Sequence, residues 1–226
     1  MTTELGPGWG VLHLFCKLTA RTDGQAVATA VKEAASADHQ VVTAALLGHK
    51  ADLGFMALGP NFTHLRRFQT ALGLAGLDVA DSYVSLTEVS EYARGMPPER
   101  LRDRLYPTLP PAGKPAFCFY PMSKRRNVGQ NWYRLPYDER NELMLGHGKV
   151  GRTFAGRVVQ LITGSTGLDD YEWGVTLFAT TPDDLKDVVY SMRFDDASAS
   201  YAEFGRILTG TVGDIDTLLR ELGVGT

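Results

Sequence analysis

The sequence predicts an α+β protein made of two consecutive βαββαβ modules. Two observations lead to this prediction. Short segments in which apolar residues alternate, as in strands, are interspersed with segments in which apolar residues follow helical spacing, and these segments follow the same order in both halves of the chain. A chain of 226 residues is long enough for two small modules that each bury a core.

The first half contains four segments of strand character and two helical segments. The strands are residues 9–18, 40–47, 53–58 and 82–89. Asp23 caps the first helix, whose apolar stripe consists of Val27, Ala30, Val31 and Ala34. Asn61 caps the second helix, in which the inward residues are Leu65, Phe68 and Leu72. The order of these elements is βαββαβ.

The second half repeats this order. Its strands are residues 116–122, 158–164, 173–178 and 207–212, and its helices are residues 137–147 and 183–192. The stretch DLGFMALGPNFTHLRRF from Asp52 also matches DYEWGVTLFATTPDDLKDVVY from Asp170 in its apolar rhythm. Two ferredoxin-like modules in one chain are the simplest interpretation.

The boundary between the modules is predicted from proline. Residues 95–114 are rich in proline, which favours an extended linker that wraps the surface. We therefore divide the chain into an N-terminal module, residues 1–94, the linker, residues 95–114, and a C-terminal module, residues 115–226.

Composition excludes some partners. The chain has 23 Lys and Arg against 26 Asp and Glu, and the net charge of -3 offers no global attraction to nucleic acid or to an anionic membrane. Cys16 and Cys118 lie inside apolar runs, and neither a secretory leader nor an 18-residue apolar stretch occurs. We expect a cytoplasmic protein with buried thiols, and any site for an anion must be local.

The glycines of GHGKVG, at 146, 148 and 151, match the dinucleotide-binding pattern in their letters alone. That pattern requires a strand before the glycines and a helix after them, whereas Pro136, Asp138 and Glu139 predict a helix before them. We interpret the glycines as the end of that helix.

His147 is predicted to lie in the last turn of this helix, with Gly148 just beyond its end. A histidine at such a place often does no more than interact with the exposed carbonyls of the helix end. The small residues on both sides, however, leave space for a flat ligand to approach the imidazole.

The segment CFYPMSKRR places Cys118, Tyr120 and Met122 on one face of a strand and three cations at its end. This pattern is typical of a core strand that enters a solvated loop, but it also suits a cavity for an apolar body that carries carboxylates. Lys124 is the first of those cations, and Tyr120 would lie beside the ligand.

Gln160 is a neutral amide on a strand face that it shares with Val158 and Ile162, which otherwise has the pattern of a core-facing stripe. A hydrogen bond to neighbouring backbone and a role facing a ligand are equally consistent with that position. Arg193 and Ser198 are predicted at a helix end and in the turn after it.

Several motifs in fixed order carry a resemblance to a known family. They are FYPMSKRR, NWY, ERNELMLGHGKVGR, QLITGSTGLDDYEWGVTLF and MRFDDASASYAEFG. Together they resemble the chlorite dismutase superfamily, specifically its coproheme decarboxylase branch. The resemblance covers most of residues 104–211, whereas the first half matches only in overall rhythm.

The resemblance implies a dimeric α/β barrel-like fold, a porphyrin bound by the C-terminal module and five subunits in a ring. His147 matches the ligand of the iron, and Tyr120 matches the tyrosine that becomes the oxidising radical. The residues that match groups around the porphyrin are Arg104, Met122, Lys124, Gln160 and Ser198. Of these, Arg104, Lys124 and Ser198 correspond to groups that hold propionates.

The implied activity is the oxidative decarboxylation of iron coproporphyrin III (coproheme) to haem b by hydrogen peroxide, the last step of coproporphyrin-dependent haem biosynthesis. Coproheme would be both substrate and redox centre. Gln160 stands where chlorite-degrading members carry arginine, which favours the decarboxylase. Chlorite decomposition, and a haem carrier or sensor without catalysis, are the alternatives.

The identity of the base on the open side of the iron is not predicted. Some relatives use a histidine there, but no histidine occurs between His64 and His147. Unless the fold brings in an N-terminal histidine, this role falls to Gln160, to water or to carboxylates of the substrate.

Overall fold

In the computed structural model, which describes residues 7–35, 38–93 and 95–225, the first half forms the predicted βαββαβ unit. Its elements are β1 (Gly10–Lys17), α1 (Gly24–Ala34), β2 (Gln40–Leu46), β3 (Leu53–Gly59), α2 (Phe62–Leu74) and β4 (Asp78–Thr87). The carboxylate of Asp23 accepts the backbone N–H of Ala26, and the side chain of Asn61 accepts that of His64. Both predicted caps are confirmed.

After α3 (Pro98–Leu105), the second half forms an equivalent unit with several short additions. Its main elements are β5 (Ala116–Lys124), α4 (Tyr137–Arg152), β8 (Val158–Gly164), β9 (Trp173–Ala179), α5 (Pro182–Met192) and β11 (Leu208–Val212). The additions are β6 (Arg126–Asn127), β7 (Gln130–Asn131), a 3₁₀ turn (Trp132–Arg134), α6 (Asp196–Tyr201), β10 (Ala202–Phe204) and α7 (Ile215–Glu221).

The two units form one closed antiparallel barrel. Within the units the strand orders are β4-β1-β3-β2 and β8-β9-β5-β11, and the units join through β2–β11 and β4–β8. Because β5 pairs with β11 on one side and with β9 on the other, the eight main strands make a ring without free edges. β10 extends the sheet beside the end of β5. The barrel confirms the predicted fold class.

Three apolar cores follow from the alternation of side chains along these strands. The barrel interior holds residues that include Phe15, Met56, Phe119 and Phe178. The outer face of the N-terminal strands packs against α1 and α2. The outer face of β5 and β9 packs against α5 through Cys118, Tyr120, Leu177, Leu185 and Val188.

Three expectations from the sequence need correction. The helix predicted to end at His147 continues to Arg152, so Gly146, Gly148 and Gly151 lie inside α4. The linker is not extended throughout, because it contains α3. The division of the chain assigns the last helix, α7, to the C-terminal module with the rest of residues 115–226, but this helix packs Ile215, Leu218 and Leu219 into the core of the N-terminal one.

Tertiary contacts explain why α4 tolerates its glycines. Each glycine in a helix interior costs about 1 kcal/mol relative to alanine, which is why they predicted an end. A Cβ on Gly151 would approach the terminal methyl of Met192 in α5 to 3.2 Å, so that glycine permits close packing of the two helices.

Both cysteines are buried and unbridged, as predicted. Burial raises the pKa of the Cys16 thiol to about 12 and that of the Cys118 thiol to about 11, so both thiols stay protonated at neutral pH. Within residues 7–35, 38–93 and 95–225, no helix has the length and apolar character to cross a membrane.

Candidate functional site

A large cavity opens on the outer side of the barrel, between strands β5, β8 and β9 and helices α4 and α5. It encloses about 1100 Å³ of empty space, including the part continuous with solvent. All seven residues singled out from the sequence line it: Arg104, Tyr120, Met122, Lys124, His147, Gln160 and Ser198. These residues are up to 94 positions apart in the chain, and the fold brings them together.

His147 enters the cavity from α4 and is held by a carboxylate. Its Nδ1 lies 3.1 Å from Oδ2 of Asp195, whose side chain is only 5% exposed, and 3.4 Å from Oγ of Ser198. Since a carboxylate can only accept, Nδ1 carries the proton and the lone pair of the neutral imidazole resides on Nε2. Histidines that bind metals in proteins commonly have a carboxylate partner of this kind.

The helix-end interpretation of His147 is wrong, because α4 continues for five residues beyond it. One of the two glycines beside it, Gly146, does have open space next to its backbone. A Cβ built on Gly146 would meet no heavy atom within 4 Å. Asp195 was missed from the sequence, although its position before the short helix α6, where it caps the N–H of Ser198, is a recognisable signal.

Lys124 is a buried cation at the end of β5. Its Nζ donates to the carbonyl of Ala197 at 3.0 Å and lies 4.2 Å from the centre of the Trp132 ring. Burial lowers the pKa of this ammonium to about 8, although the negative charges of Asp195 and Glu172 oppose the shift. A single cation with few competing partners is suited to bind an acidic group of a ligand.

Glu172 stabilises the end of β5, where Lys124 lies. Its carboxylate accepts the backbone N–H of Lys124 at 2.8 Å and pairs with the guanidinium of Arg126. The side chain of Arg126 is therefore engaged with Glu172 and with the ring of Tyr133, and it does not line the cavity. Of the cations in SKRR, only Lys124 faces the ligand space.

Tyr120 lies two residues before Met122 on the cavity face of β5 and is 7% exposed. Its ring contacts Phe204 edge-on at a centroid distance of 5.5 Å. Burial raises the pKa of its phenol above the ordinary value, with a smaller contribution from Cys118. The phenol is therefore a neutral O–H group at the wall of the cavity at physiological pH.

The strand face of Gln160 is the cavity face and not a core face. Gln160 is exposed, and Ile162 shares its side, whereas the alternate residue Leu161 is buried in the barrel interior. The amide therefore points into the cavity, which is the orientation that the ligand-facing interpretation of the sequence requires. Apolar walls complete this region: Met122, Ile162, Val175, Val189 and Met192.

The rim of the cavity carries charges of both signs. Arg104, exposed on α3, and Arg193, at the end of α5, are the cations. Glu88 and Glu91, which follow β4, are the acids, and Glu88 accepts the indole N–H of Trp173 at 3.1 Å. The two arginines at the mouth thus offer separate binding positions for acidic groups of a ligand.

All five histidines are among the described residues, and only His147 lines the cavity. His13 lies in the barrel interior, fully buried, with Nε2 3.0 Å from Oγ1 of Thr176. His39 and His64 stack on each other at a centroid distance of 3.9 Å, away from the cavity. The fold therefore brings no N-terminal histidine to the site.

The cavity fits a large, flat, acidic ligand that carries a metal. One imidazole with its lone pair directed by Asp195, clear space beside Gly146, apolar walls and separate cations are the features such a ligand requires. Elsewhere in the described part of the chain, no cluster of three or more His, Cys, Asp or Glu could hold a metal ion without such a ligand.

The fold and the site define a closed antiparallel α+β barrel protein with a large cavity outside its C-terminal strands. Comparison with known families agrees with this class. The chain belongs to the chlorite dismutase family, whose model matches residues 21–213.

Three similar relatives carry two kinds of name. A coproheme decarboxylase of Staphylococcus saprophyticus is 44% identical over 76% of this chain and 73% of its own length. That of Staphylococcus carnosus is 43% identical over 83% of this chain and 78% of its own length. A protein of Natronomonas pharaonis named for haem binding is 48% identical over 73% of this chain, which matches only 30% of that longer protein.

Solved structures agree on the fold. A haem-binding protein from Thermus thermophilus superposes with a TM-score of 0.85 at 36% identity, covering 99% of this chain and 98% of that one. A chlorite dismutase from Candidatus Nitrospira defluvii superposes with a TM-score of 0.76 at 20% identity, covering 96% of each chain.

Proposed function

We propose that this protein is a coproheme decarboxylase that converts iron coproporphyrin III to haem b with hydrogen peroxide. The observation that carries the proposal is the combination, in one cavity, of a carboxylate-oriented His147, a buried neutral Tyr120 and a buried cation, Lys124. The staphylococcal relatives named for this activity support it.

His147 would hold the iron through Nε2, with Asp195 fixing the ring. The apolar walls would cover the macrocycle, and Met122 and Gln160 would face it from the strands. Lys124, Arg104 and Ser198 would bind carboxylates of the propionates. When bound, the iron porphyrin supplies the redox centre at which peroxide is reduced.

Tyr120 is positioned to remove a hydrogen atom from a propionate held beside it. One propionate, one peroxide and one proton give a vinyl group, carbon dioxide and two waters, so each decarboxylation removes two electrons from the side chain. The phenol can yield its hydrogen atom and recover one from the β-carbon, because it is neutral at working pH. Two such events convert the substrate with four carboxylates into haem b.

The cations orient the reactive propionates. Lys124 is fixed by Ala197 and Trp132 before any ligand arrives, so little ordering is left for the moment of binding. Orientation of this kind can lower a barrier by several kcal/mol, on the order of 7 in good cases. Arg104 on α3 would bind a carboxylate at the mouth of the cavity.

Proton handling on the open side of the iron falls to Gln160, water or the substrate's own carboxylates, since the other four histidines lie away from the cavity. A neutral amide can orient peroxide by hydrogen bonds but does not take up its proton. The proton would then pass to a propionate or a water molecule. By resemblance to the family we further propose a homopentamer in the cytoplasm.

The proposal is tested with purified protein, iron coproporphyrin III and titrated peroxide, and the products are analysed by mass spectrometry. Sequential loss of two carboxyl groups supports it. Bleaching of the porphyrin without vinyl products would leave a haem carrier or sensor; the Natronomonas relative is named for haem binding alone. Oxygen release from chlorite would instead support a dismutase, which Gln160 disfavours.

A further inference from the structure

Three aromatic rings form a line from the cavity to the surface near the beginning of α4. Trp132 and Tyr92 both line the cavity, whereas Tyr137 does not, and Trp132 is 3% exposed. Its ring lies 6.4 Å from that of Tyr92 at an interplanar angle of 76°, and Tyr92 stacks on Tyr137 at 5.9 Å and 17°. These centroid distances are those of aromatic rings in contact, so the line has no break.

The phenols on this line have proton acceptors in place. The Tyr92 hydroxyl accepts from Nε of Arg140 at 3.0 Å, and burial together with the neighbouring carboxylate of Glu91 raises the pKa of this phenol. The Tyr137 hydroxyl donates to the backbone carbonyl of Glu91 at 3.1 Å. A phenol that loses an electron must also lose its proton, and Glu91 can receive the proton from Tyr92 and return it.

The outer end of the line has an acidic surface. Tyr137 is the first residue of α4, and its neighbours Asp138 and Glu139 are both exposed. Glu91, whose backbone carbonyl accepts from the Tyr137 hydroxyl, contributes a third carboxylate that pairs with Arg140. The guanidinium of Arg140 also contacts the Tyr92 hydroxyl and lies 5.8 Å from the centre of the Tyr137 ring, so this one cation offsets part of the acidic charge. The surface is therefore complementary to positively charged electron donors.

We propose that Trp132, Tyr92 and Tyr137 relay oxidising equivalents from the cavity to this surface, which becomes a second, peroxidase-type site for cationic one-electron donors too large for the cavity. The inference rests on the proposed function only in requiring that peroxide be reduced at an iron porphyrin in the cavity. Decarboxylation itself is not required.

The electron balance of the relay is closed. One peroxide takes up two electrons and two protons and becomes two waters. Each electron passes from Trp132 to the cavity. Tyr92 then reduces the oxidised Trp132, and Tyr137 reduces the oxidised Tyr92 and loses its own phenolic proton. An electron from the donor and a proton from solvent then restore Tyr137, so one peroxide oxidises two donor molecules by one electron each.

Lys124 makes oxidation of Trp132, and therefore the relay, less favourable than the reaction in the cavity. Its ammonium lies over the Trp132 ring at 4.2 Å and opposes positive charge on the indole. Trp132 is therefore a poorer electron donor than a bare indole. The relay carries the oxidising equivalents that the cavity reaction leaves over, which would otherwise damage the porphyrin and its surroundings.

The test uses protein loaded with haem b instead of coproheme, so that no decarboxylation competes. Peroxide is added with a nitroso spin trap, and the labelled residue is located by peptide mass spectrometry. In parallel, oxidation of ferrocytochrome c, a basic donor that cannot enter the cavity, is followed by absorbance. Wild type is expected to carry the trap on Tyr137 and to oxidise ferrocytochrome c at a rate that falls with added salt.

Tyr92→Phe interrupts the relay but keeps the aromatic ring that Tyr92 contributes to the cavity wall. It should lower both signals about tenfold or more, since phenylalanine has no readily oxidised O–H. Tyr190→Phe is the matched control, because Tyr190 is 54% exposed but contacts Phe194 and Arg193 instead of Trp132. Unchanged signals in Tyr92→Phe, or a trap adduct on Tyr190 in its place, would overturn the relay.

The relay and the decarboxylase activity can be contradicted independently of each other. Haem b production from coproheme by a wild-type protein that shows no adduct on Tyr137 contradicts the relay and leaves the decarboxylase intact. An adduct on Tyr137 in a protein that produces no haem b supports the relay and contradicts the decarboxylase. Circular dichroism of each variant and its haem b spectrum verify that the fold and the cavity are preserved.

Discussion

The Nδ1 atom of His147 lies 3.1 Å from Oδ2 of Asp195, and this contact connects α4 to the beginning of α6. It fixes the imidazole so that Nε2 is the ring nitrogen available to a ligand in the cavity. The side chain of Asp195 is 5% exposed, so the contact is protected from solvent screening.

Replacing His147 by alanine should remove the axial nitrogen and weaken porphyrin binding. The ferric absorption spectrum should change, because the iron would bind water or no protein ligand in its place. Absorbance titration with coproheme measures both effects. A spectrum and affinity equal to those of wild type would mean that another residue binds the iron.

Replacing Asp195 by asparagine should keep the cap of α6, since asparagine also caps helices, but should remove the charge that orients His147. Loss of such an outer partner typically weakens metal binding by about tenfold or more. Comparison of coproheme affinity in Asp195→Asn and Asp195→Ala separates the loss of charge from the loss of the cap. Equal affinity in wild type and Asp195→Asn would remove Asp195 from the site.

Lys124 predicts a pH dependence of coproheme binding. The pKa of its ammonium is about 8, so the cation is present at pH 7 and mostly absent at pH 9. Affinity should fall across that range by about tenfold, the value of one charge-assisted hydrogen bond. Titrations at both pH values measure the effect, and a Lys124→Met variant should show a weaker affinity with little dependence on pH.

The same Lys124→Met variant should impair coproheme turnover more than it impairs binding of haem b, which has two fewer carboxylates to satisfy. Methionine preserves most of the apolar stem, so packing against Trp132 is retained. Equal losses for the two porphyrins would indicate that Lys124 acts through the general charge of the cavity or through folding.

Replacing Tyr120 by phenylalanine should abolish decarboxylation while it preserves the fold and coproheme affinity. Among the described residues, no hydrogen bond contributes to the pKa of the Tyr120 phenol. Removal of its oxygen should therefore leave no protein group without a partner. Product analysis after peroxide titration is the measurement. Near-wild-type yield of haem b would exclude Tyr120 and make Tyr133, which lines the same cavity, the next candidate.

His13 predicts loss of stability in acid. Its imidazole is fully buried, and burial lowers its pKa from 6.5 to about 3. The folded state therefore keeps His13 neutral while the unfolded chain binds a proton, so stability falls as pH decreases from 6.5 towards 3. At pH 5 the loss is about 2 kcal/mol. Urea unfolding at pH 7 and pH 5 should show a smaller difference in His13→Gln, which has no ionisable ring.

Alternating polarity and capping residues determined the elements of the barrel. The strand of Tyr120 and both N-terminal caps follow from local rules, because side-chain direction along a strand and the orphan N–H groups of a helix depend only on nearby residues. The motifs around Tyr120 and His147 were enough to indicate the family and seven residues of one cavity.

Long-range packing decided what local rules could not. The glycines of α4 disfavour a helix by propensity, yet the contact of Gly151 with Met192 keeps the helix intact past His147. Gln160 was ambiguous because an alternating strand has two possible inward faces, and only closure of the barrel assigned Leu161 to the core and Gln160 to the cavity.

What the sequence alone determined about this protein is therefore its main strands and helices, their order and most of the candidate residues of the cavity. Only the tertiary structure revealed Asp195 behind His147, the lowered pKa of Lys124 and the aromatic line through Tyr92. Each of these depends on distances between residues far apart in the chain, and on the burial that their contacts create, which no local pattern encodes.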